Sequence, residues 1–272
     1  ASWKSMAVTI KTKEELEIMR EGGHRLARVL NMLMAAIRPG VTTRTLDELA
    51  EKLIFDSGGE PAFKGYRIKG VKRAFPATIC ASVNDEVVHA FPLAGKIVHE
   101  GDIIGIDIGM KWPSFVQASA GKSACGMYTD MAVTVGVGKI SAEAARLIEA
   151  TREALARGIA VVRSGVRVGE VSSAIEWYLT GEGLGIVRDL AGHGIGHALH
   201  EYPLIPNIGR LDTGVELREG VTIAIEPIVT LGNPAIRLMQ DEWTIKTVDG
   251  SLSAHFEHTI AITKDGAEIL TQ

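Results

Sequence analysis

The chain has 272 residues, enough to bury a sizeable core as one large domain or two small ones. It is 46% hydrophobic and 23% charged with a formal net charge of −4, so it shows neither the long apolar run of a membrane span nor the basic footprint of a nucleic-acid binder. Cys80 and Cys125 form no CxxC pair or disulfide framework, and "ASWKSMAVTIKT" has no signal-peptide core; the expected compartment is the cytoplasm, with residues 1–7 a short extension around a start at Met6.

Helices are predicted first. Thr12 and Glu15 stand in capping-box spacing, Ile18, Leu26, Val29, Leu30, Leu33 and Ile37 recur on one helical face, and Pro39-Gly40 ends the run. A second helix is predicted over about 43–57, ended by Gly58-Gly59. Strand-like runs follow at 77–83, 101–109 and 131–138, then helices at about 141–163 and 168–181, then strands at 221–229, 242–248 and 258–263.

Two helices followed by strands, twice over, point to an internal duplication. "IRPGVTTRTLDELAEKLIFDSGG" from Ile37 aligns with "VRSGVRVGEVSSAIEWYLTGEG" from Val162, and "HAFP" at His89 echoes "HEYP" at His200. "EGDIIGID" at Glu100 echoes "EGVTIAIE" at Glu219, and "DMAVTVG" at Asp130 falls where "EHTIAIT" at Glu257 falls. The expected unit is therefore a single domain over 8–272, with halves of about 8–138 and 139–272.

The duplication matches Asp107 with Glu226, Asp130 with Glu257 and His89 with His200. A carboxylate inside an apolar strand is costly unless it is paired, either with a buried cation or with a metal. The local segments hold few lysines or arginines, whereas two divalent ions would balance four carboxylates. "AGHGIGHALH", residues 191–200, reads either as a solvated glycine-rich turn or as backbone bent around a site, with His193 a fifth, asymmetric ligand. Carboxylates with one imidazole suit Mn, Co, Fe(II) or Zn, and such a site activates water for attack on a carbonyl or phosphoryl group. Glu226 or Glu257 is placed to take the water's proton, with His89 and His200 hydrogen-bonding the substrate.

At these motifs the chain resembles the type I methionine aminopeptidases, metallopeptidases of the pita-bread fold. The resemblance runs from about Val8 to Thr271, on "NDEVVHAFP", "GDIIGIDIG", "GHGIGHALHEYP", "TIAIEPIV" and "WTIKTVDGSLSAHFEHTI". It implies an α+β fold of two pseudo-symmetric halves, each with two helices and antiparallel strands, around a central dinuclear metal site. It implies metal ligation by Asp107, Asp130, His193, Glu226 and Glu257, and substrate contact by His89 and His200. Trp243 matches the border of a methionine pocket, Tyr66, Phe75 and Cys80 fall near its other positions, and Asn84 and Ser253 sit where relatives hold a monovalent cation. The implied reaction is removal of the initiator methionine from peptides and nascent chains, with a small second residue, by a monomer. His197 is expected to be solvated or structural.

Several positions depart from the family pattern. Leu199 stands where an aromatic is commoner and Phe75 where tyrosine is common. The segment 108–129 is longer than usual and is expected to be a mobile surface loop rather than an ordered flap. "KGYRIKGVKR", residues 64–73, is expected to be a solvated loop, with ribosomal contact the alternative. The Xaa-Pro peptidases of the same fold carry an extra N-terminal domain and a histidine four residues before the metal-binding one, where this chain has Asp189. A non-catalytic binding protein on this fold is the reading from another class, which the intact ligand set opposes.

Overall fold

A computed structural model describes residues 7–113 and 126–272. Four helices and fifteen short strands are present among them. Helix α1 (Lys13–Ala36) begins at Thr12, whose hydroxyl accepts from Glu15 N while Glu15 returns a bond to Thr12 N, the expected capping box. Helix α2 (Thr43–Asp56) is capped by Thr42, α3 (Ala142–Ala160) by Ser141, and α4 (Val168–Gly181) follows Arg167 with no side-chain cap.

The main sheet runs Glu60–Pro61, Ile103–Trp112, Met127–Gly136, Glu257–Ile262, Thr222–Ile225, Ala191–Gly194, Glu201–Pro206, antiparallel throughout. Ile79–Val83 also pairs with Ile103–Trp112. The order is palindromic about the seam between Met127–Gly136 and Glu257–Ile262. One side of the seam adds Ile103–Trp112 and Ile79–Val83; the other adds Thr222–Ile225 and Ala191–Gly194. Two threonines lock this seam by exchanging bonds with the backbone opposite them: Thr259 with Asp130 at 2.9 and 2.7 Å, and Thr134 with His255 at 2.9 and 2.9 Å.

Each half has its own core on the helix side. Ile104, Ile106 and Ile108 pack with Leu26, Leu30 and Leu33 of α1 and Leu46 and Ile54 of α2. Ile223, Ile225 and Ile260 pack with Leu147 of α3 and Ile175 and Leu179 of α4. Burying each such side chain contributes roughly 1.5–3 kcal/mol. The period of two then sends the intervening residues, Asp107 among them, to the opposite face.

Three expectations are corrected here. The run 221–229 is not one strand: Pro227 has no N–H to continue the ladder, so Thr222–Ile225 and Ile228–Thr230 enter different sheets. Residues 191–194 are strand rather than loose turn, with a register shift between His193 and Gly194. Only the two ends of 108–129 are corrected, continuing the two central strands through Trp112 and from Met127; Trp112 packs against α1 with Arg25 over its ring at 4.9 Å. The rest of that segment, with Cys125, lies outside the described residues, as do positions 1–6.

Candidate metal centre and active site

The sheet face away from the helices gathers the predicted acids. Asp107 lies mid-strand, Asp130 on the neighbouring strand, and Glu257 opens the strand across the seam. Glu226 sits at the break before Pro227. Asp130, His193 and Glu257 each bring a ligand atom to within 4.8 Å of the others, His193 Nε2 stands 3.8 Å from Glu226 Oε1, and Asp107 contacts Asp130 and the Cys80 thiol. All five predicted ligands therefore converge.

Asp107 Oδ1, Asp130 Oδ1 and Glu257 Oε1 are buried without a hydrogen-bond partner. Among the described residues no lysine or arginine forms an ion pair with any of the four acids. Burial raises the Asp107 carboxyl to about 7. It also pushes Asp130, Glu226 and Glu257 well above the usual carboxylate range, with repulsion from their acidic neighbours adding to it. Buried acceptors facing one another with no donor between them are costly, and a cation removes that cost. Carboxylate oxygens with one imidazole form a donor set for a divalent ion of the Mn, Fe, Co or Zn kind, so the residues fit a metal.

His193 is prepared for the same task. Its Nδ1 lies 2.8 Å from Gly194 O, and because a carbonyl only accepts, Nδ1 carries the proton and Nε2 presents its lone pair to the acids. Desolvation holds its pKa down at about 4, so the ring is neutral at pH 7. The glycines beside it are sterically required. A Cβ on Gly192 would lie 2.3 Å from Ala224 O, and one on Gly196, at φ +144°, would lie 2.4 Å from Lys11 Cε.

A cavity of about 100 Å³ joins these acids to an apolar end lined by Phe63, Tyr66, Ile68, Phe75, Cys80, Leu199 and Trp243. Edge-to-face ring contacts build its wall: Phe75 meets Trp243 at 5.2 Å and Phe91 at 5.3 Å between centroids. Trp243 Nε1 donates to Arg73 O at 2.9 Å, which fixes the indole. His89, in the left-handed region at φ +57°, faces Trp243 edge-on at 6.3 Å. His200 Nδ1 lies 2.6 Å from Tyr66 Oη, and its ring meets His193 at 4.4 Å. Burial pushes His89 down to about 4 and His200 to about 2, so both are neutral; the Cys80 thiol is pushed up and stays protonated.

Residues 64–73 are more than a solvated loop. Tyr66 and Ile68 line the cavity, Arg73 lies 5.6 Å above Phe91, and Lys64 pairs with Glu51 at 2.6 Å. Asn84 and Ser253 come together, Ser253 N donating to Asn84 O at 2.9 Å. Their side chains are already engaged, Asn84 with Asp102 and Ile103 N, Ser253 with Val229 O. His197 bonds Glu15 at 2.7 Å, the structural alternative for that residue. Sequence reasoning missed Phe63 and Ile68, and it missed His255, whose buried, unpartnered Nε2 lies 3.6 Å from Glu226 Oε2 and 3.8 Å from Glu257 Oε2. Alternation in "HFE" could have found His255, since residues two apart share a face.

Residues 17–264 match the metallopeptidase family M24. The methionine aminopeptidase of Clostridium acetobutylicum is 42% identical over 264 residues, covering 97% of this chain and 98% of its own. The chain belongs to metallopeptidase family M24, among the methionine aminopeptidases. This metalloaminopeptidase superposes on the crystal structure of the Thermotoga maritima methionine aminopeptidase with a TM-score of 0.88 at 41% identity, covering 98% of this chain and 100% of that one. Prolidase from Pyrococcus furiosus, at 22% identity and TM-score 0.74, covers 97% of this chain and 65% of that one and shares the fold alone.

Proposed function

We propose that this chain hydrolyses the peptide bond after an N-terminal methionine, with a preference for a small second residue. The observation that carries the reading is one cavity with two chemically opposite ends. Unpartnered buried acids and the bare His193 Nε2 occupy one end, and a wall of aromatic and aliphatic side chains the other. Asp107, Asp130, His193, Glu226 and Glu257 would hold two divalent ions, of Co, Mn, Fe or Zn. When bound, such ions polarise the carbonyl and bring the pKa of water towards ~7.

The chain's own groups do the rest. Phe75, Leu199 and Trp243 take the methionine side chain and exclude water, with Tyr66 and Cys80 completing the wall. His89 and His200, both neutral, hydrogen-bond the scissile carbonyl and amide. Glu226 accepts a proton at its carboxylate and returns it to the leaving amine. A monovalent cation near Asn84 and Ser253 would rest on main-chain oxygens, because the side chains are engaged. The catalytic unit spans 8–272, its halves dividing near 138, and acts as a cytoplasmic monomer on nascent-chain N-termini at the ribosome.

The test is hydrolysis of Met-Ala-Ser and Ala-Pro-Ala by metal-stripped protein with Mn or Co restored. Metal-dependent release of methionine with little cleavage before proline is expected. Cleavage of Ala-Pro-Ala instead moves the specificity to Xaa-Pro substrates, and cleavage of neither leaves a binding protein.

A further inference from the structure

The Lys11 side chain is 1% exposed, and its Nζ lies 2.6 Å from Glu201 Oε2. Glu201, itself 8% exposed, directly follows His200. Its second oxygen, Oε1, accepts from Ala198 N at 2.9 Å, inside the turn that links the His193 strand to Glu201–Pro206 and ends at His200. Thr9 donates to the same Glu201 Oε2, and Lys11 Nζ also bonds Thr9. Lys11 N donates to Gly220 O at 2.8 Å, and Glu15 reaches His197 in the same turn at 2.7 Å. Residues 9–15 thus strap the turn from beneath, and the Lys11 stem occupies the space that Gly196 leaves free. None of these groups reaches the cavity that holds the acids.

We propose that Lys11 is a positioning residue for His200, acting through Glu201: the buried ion pair fixes the turn so that the His200 ring meets Tyr66 and the substrate. Glu201 is held at both oxygens, one by the strap and one by the turn, so neither can shift without the other. Removing the ammonium leaves a buried carboxylate with Thr9 alone on that oxygen, which then draws towards solvent and carries the adjoining His200 backbone with it. Misplacement of a substrate-positioning group by about 1 Å costs on the order of 10²-fold in rate.

The inference rests on the reading of His200 as a substrate-facing histidine, and the test separates the two. K11M keeps an apolar stem of similar length. In metal-loaded protein it is expected to lower kcat on Met-Ala-Ser about 10- to 100-fold, with KM within threefold and metal content unchanged. In an H200A background the same substitution is expected to cost less than threefold, because the group it positions is gone. An equal loss in both backgrounds, or no loss in the first, overturns the proposal. Should K11M fail to fold, K11M/E201G is compared with E201G in the same two backgrounds, where Lys11 has no carboxylate to act through; a persisting 10-fold effect of K11M there also overturns it. Histidine 15N spectra of the metal-free protein supply a readout without turnover. The His200 ring resonances should shift in K11M while those of His89 hold, whereas unchanged His200 resonances refute the inference even if methionine release itself is absent.

Discussion

Replacing Asp107 with asparagine should stabilise the metal-free protein and remove most of the stability that metal binding adds. One oxygen of Asp107 is buried without a partner, and its charge adds to the repulsion on Asp130, Glu226 and Glu257. The rise of its pKa from 3.8 to about 7 converts at 1.36 kcal/mol per pH unit to about 4 kcal/mol. The sign follows from proton uptake. A carboxyl whose folded pKa is raised holds a proton in the folded state that the unfolded chain has released, so its contribution is lost as pH rises from about 4 through 7. At pH 8 an isosteric amide at position 107 removes a cost of that order. Allowing half for the amide's own desolvation leaves about 2 kcal/mol, or a Tm roughly 4–8 °C higher in EDTA. With Mn at a hundred times its Kd, the wild type gains about 2.7 kcal/mol, whereas the variant, short of one ligand, should gain under ~1 kcal/mol. Thermal unfolding of both proteins in EDTA and in Mn at pH 8 gives all four values. An Asp107→Asn protein less stable than wild type in EDTA, or equally stabilised by Mn, would refute the account of the acids as mutually repelling metal ligands.

Tyr66→Phe removes the 2.6 Å bond to His200 and should lower kcat about fivefold, roughly 1 kcal/mol, with metal content unchanged; steady-state kinetics on Met-Ala-Ser checks it. Trp243→Ala opens the wall between Phe75 and His89 and should cost about 3–5 kcal/mol of stability in urea unfolding while raising KM for methionyl peptides. Gly192→Ala forces a Cβ to 2.3 Å from a backbone oxygen of the neighbouring strand and should destabilise by at least ~2 kcal/mol in the same unfolding assay.

The strongest signals in the chain were local ones. Asp107 and Glu226 stood out because an acid among isoleucines has few ways to be satisfied, and the period of two already placed each opposite the core-facing side chains. Thr12 and Glu15 announced α1 because a capping box is complete within four residues. Duplication supplied the pairing of the acids without any coordinates, since each half carries its own copy of helices and strands.

What the sequence by itself determined, then, is whatever rests on spacing within an element or repeats between halves: the helices, the core faces, the acids and the matched pair His89 and His200. Tertiary structure decided the rest. Only folding shows that Pro227 sends one apolar run into two sheets, that Phe63 and Ile68 close the cavity, and that Lys11 meets Glu201 across 190 residues. The physical reason is that a contact between remote segments leaves no period in either one: a lysine before a helix reads as solvated until another strand's carboxylate is brought to 2.6 Å and water is excluded from both.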